Sequence, residues 1–177
     1  AAGQTPLSLT QMLEGMFSRL AQSNDDKVKI AINDSILTII DKYATSDSVM
    51  LHRFGTIRYL GQITSSDQKI KIINWNLVLR NSPGMYYSYL IKKGETGSKN
   101  MIYRMRAQYR KDPPLIDGLY TDRNWYGALY YEMRAMKTSK GTFYMLFGLD
   151  YGNPDITRKI IDVLSFTEKG TLVFGKK

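Results

Sequence analysis

Two short aromatic stretches hold the residues best suited to bind a ligand. Residues 86–89 and 124–131 are rich in Tyr and Trp, and successive strand side chains point to opposite faces of a sheet. One face of each strand has to be core, and the other could stack sugars, bases or a partner's side chains. Aromatic pairing that only stabilises the sheet is the favoured alternative. The candidate binding residues are Trp75, Tyr87, Trp125, Tyr126 and Tyr130.

Catalytic and metal-binding residue types are scarce. His52 is the single histidine and no known motif surrounds it, and the chain has no cysteine. The residues needed for a Ser-His-Asp relay or for a zinc site built from His and Cys are therefore scarce. Gly-x-Ser-x-Gly, a phosphate-binding glycine loop and a dinucleotide fingerprint are all missing. The sequence predicts no cofactor, no metal and no catalytic residue, and therefore a protein that is not an enzyme.

Paired carboxylates are the remaining route to catalysis, because glycosidases use two of them across the scissile bond. The sequence cannot place any two of its carboxylates together. Asp162 lies among apolar residues, so we expect it to be partly buried with Arg158 or Lys159 as a structural partner. The carboxylates available are Asp117, Asp122, Glu132 and Asp162.

The positive charge is concentrated in the middle of the chain. The net charge is +9, and residues 51–112 hold 12 basic and 3 acidic side chains. Such an excess suits an acidic partner, whether nucleic acid, phospholipid or an anionic glycan. Lysines that guard the edges of a solvated sheet are the simpler explanation. The second interpretation is favoured, and nucleic acid is not predicted as a partner.

The elements that carry these residues begin with two helices. Over residues 7–22, apolar side chains recur at helical spacing from Leu9 to Leu20. Residues 26–44 repeat the pattern after Asp25 or Asp26, which are good helix caps. Because the link is short, an antiparallel helical hairpin is predicted.

A series of strands follows the hairpin. Short turns separate the strands, so neighbours have to be antiparallel. In 125–136, the alternation places Trp125, Leu129, Tyr131 and Met133 on one face. Residues 51–64 fit neither the helical period nor the strand period. The predicted strands are 69–79, 85–92, 101–109, 125–136, 142–149, 158–166 and 171–175.

These patterns predict an α+β fold, with an amino-terminal helical hairpin followed by a predominantly antiparallel β-sheet meander. We expect residues 1–50 to form a helical lead-in packed on the sheet and residues 51–177 to form the antiparallel β domain. No stretch approaches the roughly 20 apolar residues that a helix needs to span a bilayer. An integral helical membrane protein is therefore not expected.

Several longer motifs resemble a known family. Residues 72–76 (Ile-Ile-Asn-Trp-Asn), 124–131, 144–150 and 158–164 occur in the order found in an uncharacterised exported protein family of Bacteroidetes-type bacteria. The resemblance covers about residues 30–177. It implies a signal peptide, a place in the periplasm or on the cell surface, and no assigned activity. Family members continue beyond the last strand of this chain, so either this chain is shorter or its last part is missing, and in the second case the β domain is incomplete at its carboxyl end.

The amino terminus reads Ala-Ala-Gly-Gln, which suits a signal-peptidase product. Together with the family resemblance, it makes an exported, non-enzymatic binding or structural module of the cell envelope the leading hypothesis. Its partner would be another envelope protein, bound on the aromatic face or along an unpaired sheet edge at strand 171–175. The alternative is a glycan-binding module or hydrolase that uses the aromatic face.

Overall fold

The computed structural model describes residues 6–175, which begin with the expected helical hairpin. Helix α1 spans Pro6–Gln22 and helix α2 spans Asp26–Ala44. Asp25 caps α2, because its carboxylate accepts hydrogen bonds from the backbone N–H groups of Lys27 and Val28. No helix in this part of the chain is long and apolar enough to cross a membrane.

The described residues form eight antiparallel strands in two four-stranded sheets, each a meander in chain order. The α+β fold class is therefore confirmed, with the meander divided between two sheets. The first sheet contains β1 (Gly61–Thr64), β2 (Ile70–Leu77), β3 (Met85–Lys92) and β4 (Met101–Gln108). The second contains β5 (Leu129–Thr138), β6 (Gly141–Asp150), β7 (Arg158–Phe166) and β8 (Leu172–Phe174).

The first sheet is the middle layer of three. On β2, Ile73 and Trp75 pack in one core with the helices, whereas Ile70 and Ile72 pack in another with the second sheet. A strand covered on both faces needs apolar residues at consecutive positions rather than alternating ones. This explains why Ile70 to Leu77 is almost continuously buried.

The edge of the last strand is not free along its length. On one side β8 pairs with β7, and on the other the backbone N–H groups of Tyr120 and Phe174 each donate to the other residue's carbonyl, at 2.9 and 2.7 Å. The open edge expected at 171–175 is therefore occupied at Phe174 by the segment that precedes β5. A partner strand could not pair there without displacing Tyr120.

Lys71 places a cation inside the helix-facing core. The residue is 3% exposed, and its ammonium group donates to the Tyr43 hydroxyl at 2.7 Å, the Val49 carbonyl at 3.0 Å and the His52 carbonyl. Three acceptors match the three ammonium donors. Among the described residues no carboxylate pairs with it. Burial, with a smaller contribution from Arg53, lowers the pKa of Lys71 to about 8.

This lysine should make stability rise in mild alkali. Its pKa is about 8 in the folded protein, against an ordinary value of 10.5, so the unfolded chain binds more protons between those values and stability increases with pH there. We expect the free energy of unfolding to increase by about 2 kcal/mol between about pH 7.5 and 9.5. Urea melts of the wild type and of Lys71→Met at both pH values measure this increase. Subtracting the pH dependence of the variant from that of the wild type removes the contribution of tyrosine ionisation, which both proteins share. Parallel pH dependences in the two proteins would contradict the expectation.

Candidate functional site

The structure buries the side chains predicted to form the aromatic binding face. Trp75 is fully buried against the helices, where its indole N–H donates to the Asn33 side chain at 2.8 Å. Tyr87 and Tyr89 stack on the same indole, with centroids 5.4 and 6.2 Å away. Trp75 and Tyr87 are therefore core residues. The prediction that they face outward is wrong, because the helices cover this face of the first sheet.

The other three predicted residues lie between the two sheets. Trp125 donates through its indole N–H to the Tyr130 hydroxyl at 2.9 Å, and the hydroxyls of Tyr126 and Tyr130 are 2.7 Å apart. Tyr126 also donates to a carboxylate oxygen of Asp162 at 2.7 Å. All three rings are buried, so the outward position predicted for Tyr126 and Tyr130 is also wrong. This polar chain satisfies hydroxyl and indole groups that would otherwise destabilise the core.

Asp162 is partly buried, as expected, but its partner differs from the expected one. It accepts from Tyr126, whereas Arg158 pairs with Asp150 at 3.2 Å. Burial raises the pKa of Asp162. Within residues 6–175 no group of three or more His, Asp or Glu side chains could hold a metal ion.

Exposed tyrosines mark a different site, which we call the tyrosine cleft. Tyr59, Tyr131 and Tyr151 are 52, 51 and 40% exposed, and all three line one cleft of about 450 Å³. Among the described residues, these three are the exposed large aromatic side chains. The cleft is bounded by Tyr59, Leu60, Gly61, Asn74, Asn76, Leu129, Tyr130, Tyr131, Leu149 and Tyr151.

A β-bulge turns Tyr131 into the cleft. Tyr130 lies opposite Gly148, but Glu132 lies opposite Phe147, so Tyr131 is an extra residue on β5. Because of this insertion, Tyr130 and Met133 both point into the core, while Tyr131 faces solvent. The regular alternation predicted for 125–136 fails at this residue. Bulges of this kind commonly redirect a side chain beside a functional site.

Tyr59 lies at the cleft wall in a strained backbone conformation. Its φ is +74°, a left-handed conformation that is unfavourable for a bulky side chain. The guanidinium of Arg58 lies over its ring at 5.0 Å. Elsewhere in the cleft lining, the backbone N–H of Tyr151 donates to the buried Tyr86 hydroxyl at 2.6 Å. Strained residues concentrate at binding and catalytic sites, because function is a common reason for retaining them.

Two asparagines connect the cleft to both sheets. The Asn74 side chain accepts from the backbone N–H of Tyr130 at 2.6 Å and donates to the carbonyls of Tyr130 and Gly61, each at 3.4 Å. Its amide therefore ties β2 to β1 and to the bulge of β5. Asn76 donates to the Tyr109 hydroxyl at 2.6 Å, which leaves its side-chain oxygen to accept from a ligand. The cleft thus combines aromatic walls with neutral amides.

The lining residues carry no charged side chain, although the chain as a whole carries +9. Apart from Arg58, whose guanidinium lies over the Tyr59 ring, a charged ligand finds no counter-ion among the lining residues, and the cleft therefore suits a neutral one. Sequence reasoning missed all three exposed tyrosines. A partial signal existed for Tyr151, because an aromatic residue directly before Gly-Asn-Pro lies in a turn rather than a core strand.

The strain at Tyr59 can be tested directly. Glycine adopts positive φ without penalty, so we expect Tyr59→Gly to raise the free energy of unfolding by about 1 kcal/mol. Gln68 is the matched control, since it is the other described non-glycine residue with positive φ, at +58°. Gln68→Gly should stabilise by a similar amount. Urea melts give both values, and destabilisation by Tyr59→Gly would show that the ring supports the fold rather than straining it.

The chain was compared with family models, with curated proteins and with solved structures. No family model, no curated protein and no solved structure matches it.

Proposed function

We propose that this chain is a non-enzymatic binding module whose tyrosine cleft binds a neutral glycan. The observation that carries the proposal is the convergence of Tyr59, Tyr131 and Tyr151 on one uncharged cleft. Exposed aromatic rings are costly to solvate, and three of them on one concave surface indicate a ligand that covers them.

Sugar chemistry fits the two kinds of surface in the cleft. The C–H face of a pyranose ring is apolar and weakly positive, so it packs well against the negative face of a tyrosine ring. The hydroxyl groups at the ring edge need hydrogen-bond partners, which the Asn76 oxygen and the tyrosine hydroxyls supply. A neutral sugar needs no counter-ion, and none lines the cleft.

The composition of the cleft supports binding rather than hydrolysis. Glycosidases place two carboxyl groups about 5–9.5 Å apart across the bond that they cleave, but no Asp or Glu lines this cleft. Asp150 precedes Tyr151 in the chain, yet its carboxylate is held by the Tyr86 hydroxyl, the Gly152 N–H and Arg158. The residue is 4% exposed and does not line the cleft.

A glycan array tests this proposal. We expect the wild type to retain neutral oligosaccharides, and Tyr131→Ala to reduce the retention about tenfold, because an aromatic anchor typically contributes more than 1 kcal/mol. Ile161→Ala is the matched control, since Ile161 is 68% exposed on β7 and does not line the cleft. If no neutral glycan is retained, or if both variants lose it equally, the proposal is wrong.

A second candidate function is attachment to another envelope protein. Leu115, Ile116 and Ile161 line a second pocket and are at least 68% exposed, which makes an exposed apolar patch suited to a protein partner. Extracytoplasmic location is part of this proposal and rests on the family resemblance. A pull-down from native membranes should recover a partner with the wild type and lose it with Ile116→Asp. Recovery unchanged by the variant, or native protein found only in the cytosol, would oppose this candidate.

A further inference from the structure

A further cavity lies at the other end of the two packed sheets from the tyrosine cleft, and we call it the lysine groove. Its volume is about 1070 Å³, and Lys69, Lys92, Lys93 and Lys140 line it. They come from the start of β2, the end of β3 and the β5–β6 turn, so three separate parts of the chain bring positive charge to one place. We propose that the lysine groove binds an acidic polysaccharide segment.

The lysines are free to bind an anion. The ion pairs among the described residues involve Arg104, Arg134 and Arg158, and none of the four lysines. The Lys92 ammonium is positioned over the Phe166 ring, 4.3 Å from its centroid, so a cation–π contact orders its side chain without neutralising its charge. The groove therefore holds four lysine cations outside any salt bridge beside three carboxylates, and the lysines are the groups that can make charge-assisted contacts to carboxylate or sulfate groups.

The rest of the lining supplies hydrogen-bond partners for sugar hydroxyls. Hydroxyl and amide groups alternate with the lysines, and Asp67, Glu95 and Glu168 also line the groove. These carboxylates repel any polyanion, so the anionic groups of the ligand have to lie beside the lysines, while the carboxylate oxygens accept hydrogen bonds from sugar hydroxyls. The neutral polar residues of the lining are Ser66, Gln68, Thr96, Thr142 and Thr167.

The two aromatic rings in the groove cannot stack a base. Tyr144 is 4% exposed and its hydroxyl is committed to Asp67 at 2.7 Å, while Lys92 covers Phe166. Single-stranded nucleic acids depend on free rings for stacking. No exposed large hydrophobic side chain lines the groove, which also disfavours insertion among lipid chains.

A strained backbone conformation occurs in the lysine groove, as it does in the tyrosine cleft. The two described non-glycine residues with positive φ are Tyr59 and Gln68. Tyr59 lines the tyrosine cleft and Gln68 lines the lysine groove. Strain of this kind persists where surrounding structure enforces it, and it concentrates at sites that hold a ligand.

Hexagalacturonate is a suitable probe, with binding measured by titration calorimetry at two salt concentrations. We expect Lys92→Gln/Lys93→Gln/Lys140→Gln to weaken binding about tenfold or more and to reduce its salt dependence, because charge-assisted contacts are lost. The matched control is Arg19→Gln/Lys27→Gln/Lys42→Gln, which removes the same charge from positions on the helices and should bind like the wild type.

Several results would overturn the inference. One is no binding of hexagalacturonate by the wild type, and another is an equal loss in both triple variants, which would indicate unspecific attraction. Tighter competition for the groove by a single-stranded oligonucleotide or by anionic vesicles would refute the ligand class. Thermal melts of both variants verify folding. Tyr131→Ala should leave hexagalacturonate binding unchanged, so this test is independent of the neutral-glycan proposal.

Discussion

Replacing Trp75 by alanine is expected to lower the free energy of unfolding by about 4 kcal/mol, the range found when a buried aromatic ring is removed. The side chain is fully buried and lies edge-on to Phe17 with centroids 6.3 Å apart. Its loss would also leave the Asn33 side-chain oxygen without the indole donor. The cavity and the unsatisfied acceptor act in the same direction.

Urea denaturation followed by circular dichroism measures this effect. Tyr131→Ala is the matched control, because it removes a large ring that is 51% exposed, and we expect it to cost less than about 1 kcal/mol. The contrast separates a core aromatic residue from one that faces a ligand. A loss below about 1 kcal/mol for Trp75→Ala would show that the indole does not pack between the helices and the first sheet.

Replacing Asp150 by alanine is expected to destabilise the protein by about 3 kcal/mol, because it leaves a largely buried cation without its counter-ion. The two side chains of the Asp150–Arg158 pair are only 6 and 15% exposed. The same carboxylate also accepts from the Tyr86 hydroxyl at 2.7 Å and from the Gly152 N–H at 2.9 Å. One residue therefore joins β3 of the first sheet to β6 and β7 of the second.

The exposed pair of Glu132 and Arg134 provides the control. Its side chains are 43 and 62% exposed, so Glu132→Ala should cost less than about 1 kcal/mol. Both variants can be compared in one series of urea melts. Equal effects of Asp150→Ala and Glu132→Ala would mean that burial does not set the strength of these two ion pairs.

The elements themselves could be predicted because their periodicity is strong. The predicted ranges 26–44, 85–92 and 158–166 coincide with α2, β3 and β7. Each has regular apolar spacing and ends at a turn sequence. Antiparallel pairing followed from turns too short for any crossover.

The layer order could not be predicted in the same way. Residues 86–89 show that both faces of a strand carry rings, but only tertiary packing decides whether both faces are covered. The middle position of the first sheet therefore converted Trp75 and Tyr87 from candidate ligand contacts into core. The bulge at Tyr131 is set by register against β6, and the positive φ of Tyr59 is set by the surrounding structure. Neither leaves a periodic signal in the sequence.

The most direct test of the central claim is calorimetric titration with the neutral oligosaccharide that binds best on the array. We predict that Tyr151→Ala weakens its affinity about tenfold, while Ile161→Ala binds like the wild type. Tyr59→Gly should lose affinity even though it gains stability, because the ring that it removes faces the ligand. Wild-type affinity in Tyr59→Gly, Tyr131→Ala and Tyr151→Ala would contradict the claim that the tyrosine cleft is the binding site.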